Sequence, residues 1–223
     1  MKSTNHFFLL FIFSCQLVCA QNISKDTKSG KIIFDITYEN AKLDKKNMDD
    51  LPSEAILYFK DNLMKMEMSL PMGKTTFISN HTTGSGTMLM DMMGSKFSVK
   101  MDKSDLEKEM KSKENTKVAF QADTKLIAGY ICKKAIVTIQ TPEGEKTMDT
   151  WFTNELKIKN SFGSQIDGIE GFLMEFYTNQ NGMSMKMKAR SLDFTSINDS
   201  EFIIPEGYTP FNMDALKKIK GGK

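Results

Sequence analysis

Met183-Ser184-Met185-Lys186-Met187-Lys188-Ala189-Arg190 alternates apolar and polar side chains without a break. In an extended strand successive side chains point to opposite faces, so the methionines and Ala189 share one side while Lys186, Lys188 and Arg190 take the water side. Just ahead, Gln180-Asn181-Gly182 supplies the positive φ angles of a tight primed turn, and Phe172, Met174 and Phe176 keep the same period. The reading is an antiparallel hairpin with one apolar and one wet face. The same thioether alternation recurs at Met64, Met66 and Met68, separated by Lys65 and Glu67, and at Met88, Met90 and Met92, with Asp91 in the last gap.

Working outward, period-two segments fill most of the chain. Ile32, Phe34, Ile36 and Tyr38 share a face, with Asp35 and Thr37 opposite. Residues 55–60 and 63–70 read as a hairpin about Asp61-Asn62, followed by a strand at 74–79. Gly84-Ser85-Gly86 turns the chain into residues 87–92, and Gly94 turns it into 96–101. Strand signals resume at 117–121, 130–140 and 146–153, the last two joined at Thr141-Pro142-Glu143-Gly144. Two short helices are expected. Ser104 and Glu107 form a capping-box pair before Leu106 and Met110, giving a helix whose apolar stripe suits packing across the sheet. A second carries Met213, Leu216 and Ile219 near the end. The fold class is mainly β, of the α+β kind, in one domain.

The start reads as a secretory signal over residues 1–20: Lys2, an apolar run through residues 7–13, and a small-residue cleavage site at Val18-Cys19-Ala20. An alternative places a lipid anchor at Cys15, after Ile12-Phe13-Ser14. Residues 21–30 are a flexible leader, 31–210 the folded domain, and 211–223 a C-terminal helix and tail. The expected location is the periplasm or cell surface. No later stretch is apolar for long enough to span a bilayer as a helix, the best run being residues 55–59.

Charge is nearly balanced, with 30 basic and 28 acidic residues, and Arg190 is the single arginine. The bidentate forks that read phosphates and bases are missing, so nucleic acid is not an expected partner. Once the signal is removed only Cys132 remains of three cysteines. A lone cysteine among apolar residues reads as a small buried hydrophobe.

No catalytic constellation is visible. His81 is the one histidine outside the signal, in a loop-like Ser-Asn-His-Thr-Thr segment, and there is no nucleophile elbow, phosphate loop or regular calcium loop. The expectation is a non-enzyme with no cofactor and no metal centre. Asn22, Asn80 and Asn198 open short glycosylation-acceptor patterns. The nine methionines admit three readings. They fill a closed core, as in a structural or adhesion scaffold. They line a groove for an apolar guest, around which soft unbranched side chains repack. Or they bind Cu(I), which thioethers select. Against copper, i and i+2 side chains on one strand stand about 7 Å apart.

Ile127-Ala128-Gly129-Tyr130-Ile131-Cys132-Lys133-Lys134-Ala135, Trp151-Phe152-Thr153-Asn154-Glu155-Leu156 and Gly168-Ile169-Glu170-Gly171-Phe172-Leu173 follow an order similar to that of the GLPGLI-type exported proteins of Gram-negative bacteria. The chain resembles a related exported family of unknown function still more closely, over residues 31–208. Such families look similar to lipoprotein carriers of the LolA and LppX type. That resemblance implies a strongly curved antiparallel sheet, a half-barrel, with one or two short helices covering its concave face. The resemblance transfers no binding residue, so Met64, Met66, Met68, Met88, Met90, Met92, Met183, Met185 and Met187 stand as ligand candidates on their alternation alone; the expected function is non-catalytic binding of a lipid or acyl chain by them, with another envelope protein as a further partner.

Overall fold

A computed structural model describes residues 28–39, 49–104, 116–141, 144–158, 166–180 and 183–211. The period-two segments all form strands: β1 (Ser29–Glu39), β2 (Glu54–Lys60), β3 (Leu63–Leu70), β4 (Gly73–Asn80), β5 (Ser85–Met92) and β6 (Ser95–Met101) in the first half. The second half supplies β7 (Lys117–Ile127), β8 (Tyr130–Thr141), β9 (Gly144–Thr153), β10 (Phe172–Gln180), β11 (Met183–Asp193) and the two-residue β12 (Thr209–Pro210). They make one open, curved sheet in the order β12-β6-β5-β4-β3-β2-β1-β11-β10-β9-β8-β7. Each neighbouring pair is antiparallel except β12, which runs parallel to β6. Strand β7 runs to Ile127, well past the expected end at residue 121, because its pairing with β8 resumes at Thr124 after an irregularity.

Two-residue turns close several hairpins. Ala128 (φ 47°) and Gly129 (φ 88°) join β7 to β8, and Met93 (φ 51°) and Gly94 (φ 81°) join β5 to β6. Paired positive φ values match the right-handed twist of the strands they connect. At Ala128 and Met93 a non-glycine residue takes the left-handed conformation beside a glycine that adopts it freely.

Registers decide the faces. Ile32 pairs with Leu57, Leu57 with Met66, Met66 with Phe77, and Phe77 with Met88, so these residues share one side. The main core builds there on β1, β2, β10 and β11. Phe34 is 2% exposed, its ring edge-on to Phe176 at 6.0 Å and tilted to Phe172 at 6.4 Å. The core continues through Ile127, Cys132, Ala135 and Phe152 toward the β7 edge.

The opposite side of β2 to β5 carries a second cluster of Ile78, Leu89 and Phe202, with Tyr58, Leu63, Ile197 and Tyr208 packed against it. Its cover is a strap over residues 194–211 with a short 3-10 turn, Asp199–Phe202. Asn198 caps that turn by accepting from the Ser200 N–H at 3.0 Å, and the Ser29 hydroxyl pins the strap between Thr195 O and Ile197 N–H. This extended cover differs from the expected helical one. The 3-10 turn is the main helical element among the described residues. Those expected at 104–110 and 211–223 lie outside the described residues beyond Ser104 and Phe211. Local helix signals report what a segment can form alone, whereas the strap is held by tertiary packing of Phe202.

Cys132 is fully buried, its thiol donating weakly to Tyr130 O at 3.5 Å. Burial pushes this thiol up from 9.0 to about 11, a hydrogen bond from Ile127 opposing in part.

Two outcomes follow from this packing. Phe34→Ala lowers unfolding stability by about 3–5 kcal/mol in urea titrations, through lost burial and an unfilled cavity between Phe172 and Phe176. Because the folded thiol holds its proton above the unfolded value, its contribution to stability is complete below pH 9.0 and is lost as pH rises through about 11. Cys132→Ala removes that alkaline dependence, read as the difference in melting temperature between neutral and alkaline buffer.

Candidate functional site

Eight of the nine methionines fall on the core face. Met64, Met66 and Met68 pair with Phe59, Leu57 and Ala55 on one side and with Ser79, Phe77 and Thr75 on the other. Met88, Met90 and Met92 continue the row one strand further, opposite Phe77, Thr75 and Gly73. Met187 and Met185 lie opposite Ile36 and Tyr38, and Met183 takes the register position opposite Gln180.

The face is uneven. Met64, Met185 and Met187 are buried in the main core, while Met66, Met68, Met88, Met90 and Met92 are half-buried. These registers set no two of the nine directly opposite one another. Strand β4 intervenes between the two rows, so their sulfurs are separated by two strand spacings, about 9.5 Å.

Among the described residues, two cavities are lined by none of the nine methionines. One, of about 510 Å³, lies near the β7 edge between Phe120, Phe152, Lys133 and Ile169. The other, of about 390 Å³, is on the side away from the methionines, between β3, β4, β5 and the strap. Its polar wall centres on Lys65, whose side chain is 9% exposed. The Lys65 ammonium lies 2.5 Å from Glu201 Oε2, 3.3 Å from Glu67 Oε1, and 4.6 Å from the centre of the Tyr58 ring. Lys74 reaches Glu67 Oε1 at 3.0 Å.

Burial acts to lower the Lys65 pKa, but the hydrogen bonds and charges of Glu201 and Glu67 outweigh it and raise the value. For Glu67 burial acts upward, and Lys74 and Lys65 together bring the pKa below the usual carboxylate value. Both groups are therefore charged at neutral pH.

The same polar side carries a second buried ion cluster. Glu175, 4% exposed, accepts from Lys125 at 2.6 Å and pairs with Lys186 at 3.0 Å. Burial raises its pKa, the two lysines more than reverse this, and the carboxyl titrates below its ordinary range. Lys186, expected in open water, is in fact half-buried and spent on this pairing.

Sequence reasoning missed the Lys65 cluster for a definable reason. Lys65 and Glu67 stand in plain view as the polar positions of β3, but Glu201 lies 136 residues beyond Lys65. Motif patterns detect residues close along the chain, and these carboxylates meet only through the fold. His81 lies exposed in its loop, as expected. Asn80 and Asn198, which open acceptor patterns, use their side-chain oxygens to accept from Thr82 and Ser200 N–H groups.

Comparison with known proteins bears on what this arrangement serves. A solved structure of PNGF-II in a C2 space group superposes with a TM-score of 0.51 at 15% identity, over 87% of this chain and 33% of that one. A second PNGF-II structure, in P21, gives 0.52 at 17% identity over the same shares. LprF from Mycobacterium bovis aligns at 15% identity over 79% of this chain and 92% of that one, with a TM-score of 0.33, too loose a superposition to argue from. No curated protein matches the chain. This chain spans about a third of the length of the PNGF-II chains.

The profile of one family, described as N-glycanase peptide, N-terminal domain, matches residues 36–202. The relation to GLPGLI-type proteins is not shown by these matches. They also correct the expectation of a non-enzyme, since the family and the solved structures that share the fold are those of an N-glycanase. That expectation rested on missing short motifs, which say nothing about groups gathered from distant strands. With residues 36–202 inside the profile and the sheet matching that of PNGF-II, the chain belongs to the family of N-glycanase N-terminal domains.

Proposed function

We propose that this protein serves in N-glycan removal from exported or surface glycoproteins, and that its methionine face holds the apolar part of the substrate. The observation that carries the reading is the single-sided array of half-buried Met66, Met68, Met88, Met90 and Met92 in a chain of the N-glycanase N-terminal domain family. Flexible thioethers conform to guests of varied shape, which suits a surface that meets many polypeptide segments. Export through a signal at residues 1–20, to the periplasm or cell surface, belongs to this reading. Among the described residues no helix is long and apolar enough to cross a membrane.

A lipid or acyl chain is the other apolar guest this face suits, and another envelope protein is the natural source of either. The copper reading draws less support, since the register pairs none of these thioethers directly.

Binding to a reduced, alkylated N-glycoprotein, followed by fluorescence anisotropy, separates the readings. The full chain is expected to bind the unfolded glycoprotein more tightly than its native form. Met66→Glu and Met88→Glu each weaken that binding at least tenfold, by placing a charge against an apolar guest. Thermal stabilisation by fatty acid, with no affinity for unfolded glycoprotein, points to the acyl guest instead. Release of glycan, read by mass spectrometry on the same substrate, tests the enzymatic part.

A further inference from the structure

The cavity on the side away from the methionines carries its own chemistry, and it does not rest on the reading above. Strands β3, β4 and β5 supply its floor and one wall, and the strap supplies Ser200, Glu201 and Tyr208 as the other. At about 390 Å³ it lies within the span of small-molecule sites, roughly 300–1,000 Å³. Ile78 and Leu89 form an apolar floor, and the half-buried Tyr208 ring stands at the rim.

The charges of this cavity are already balanced. Lys65 bridges Glu67 and Glu201, and Lys74 holds Glu67. An anion entering would face two carboxylates, and a cation two ammonium groups. A neutral ligand with both donors and acceptors meets neither penalty and uses the lone pairs and N–H groups that the ion pairs leave over.

Thr76 supplies a separate indication. It is 5% exposed, lines the cavity, and its hydroxyl has no hydrogen-bond partner among the described residues. A buried hydroxyl without a partner costs stability, so it marks a place where a ligand atom or water completes the bond.

We propose that this cavity is a binding site for a neutral saccharide, whose hydroxyls meet Thr76, Lys65 and the two carboxylates while a C–H face of the ring rests on Ile78, Leu89 and Tyr208. Sugars combine these properties: uncharged, rich in paired donors and acceptors, and apolar across one ring face.

Isothermal titration of the full chain with N-acetylglucosamine and with mannose tests the site, using glucosamine and glucose 6-phosphate as the cationic and anionic counterparts. At least one neutral sugar is expected to bind, and both charged counterparts more weakly. Thr76→Val, which keeps the side-chain shape, weakens that binding roughly three- to tenfold, the value of one hydrogen bond. The same change leaves the melting temperature equal or higher, because it deletes an unpaired buried hydroxyl. Tyr208→Leu is a second variant, weakening sugar binding without touching the ion pairs. Met66→Glu, on the opposite face, leaves sugar affinity unchanged, so this site and the methionine surface succeed or fail separately. Absence of binding by either neutral sugar, tighter binding of a charged counterpart, or a Thr76→Val protein that binds as the parent does, each overturns the assignment.

Discussion

Strand β1 lies between β2 and β11, and that position organises the molecule. Strands β1 to β6 form one antiparallel meander and β7 to β11 another, each built from hairpins between neighbours in sequence. Among the described residues the strand pairing that joins them is that of β1 with β11, from Lys31 opposite Asp193 to Glu39 opposite Ser184. Closing so long a loop costs chain entropy before any contact compensates. The compensation is concentrated at the seam: Ile32, Phe34 and Ile36 meet Leu192, Ala189 and Met187 there, with Phe176 of β10 behind them. On the other face Arg190 reaches Asp35 on β1 and Glu54 on β2, so the one arginine ties three strands across the join.

The two sides of the sheet are used differently. One gathers aliphatic, aromatic and thioether side chains and leaves several methionines half open. The other sets buried ions into a largely polar surface, at Lys65 with Glu67 and Glu201 and at Glu175 with Lys125 and Lys186. Taking an ion out of water costs several kcal/mol, about as much as its partners return. Such clusters therefore add little net stability. They fix geometry, holding the strap on β3 and β10 to β7 and β11.

Much of the fold was legible because period two is a strong signal when one face is buried. The alternation at Met183, Met185 and Met187, at Met64, Met66 and Met68, and at Ile32, Phe34 and Ile36 placed strands where they occur, and Gly94 marked a real turn. Strand order was not legible, since no local feature says that β1 faces β11. The Thr209–Pro210 strand was invisible for the same reason, being too short for a pattern and existing only against Phe97 and Ser98. At the level of sites, the common side of the methionines followed from alternation alone. The cavity around Thr76 and Lys65 needed three strands and the strap assembled first. The absence of a compact motif misled the reading of enzyme membership, because membership in this family is carried by a whole-domain pattern over residues 36–202 and not by a short motif.

Both margins of the sheet are blunted. At one, among the described residues, Thr209, Pro210 and the Phe211 N–H that donates to Ser98 O lie along β6, and proline has no amide hydrogen to offer a further strand. At the other, β7 breaks register between Phe120 and Thr124, and Gln121 to Asp123 fall outside the ladder. A regular border would template the addition of another chain, and irregularities with charged neighbours such as Lys117 and Asp123 suppress it. An incoming strand would therefore meet an interrupted ladder at the β7 margin, even though Phe120, Leu126 and Ile131 stand exposed beside it.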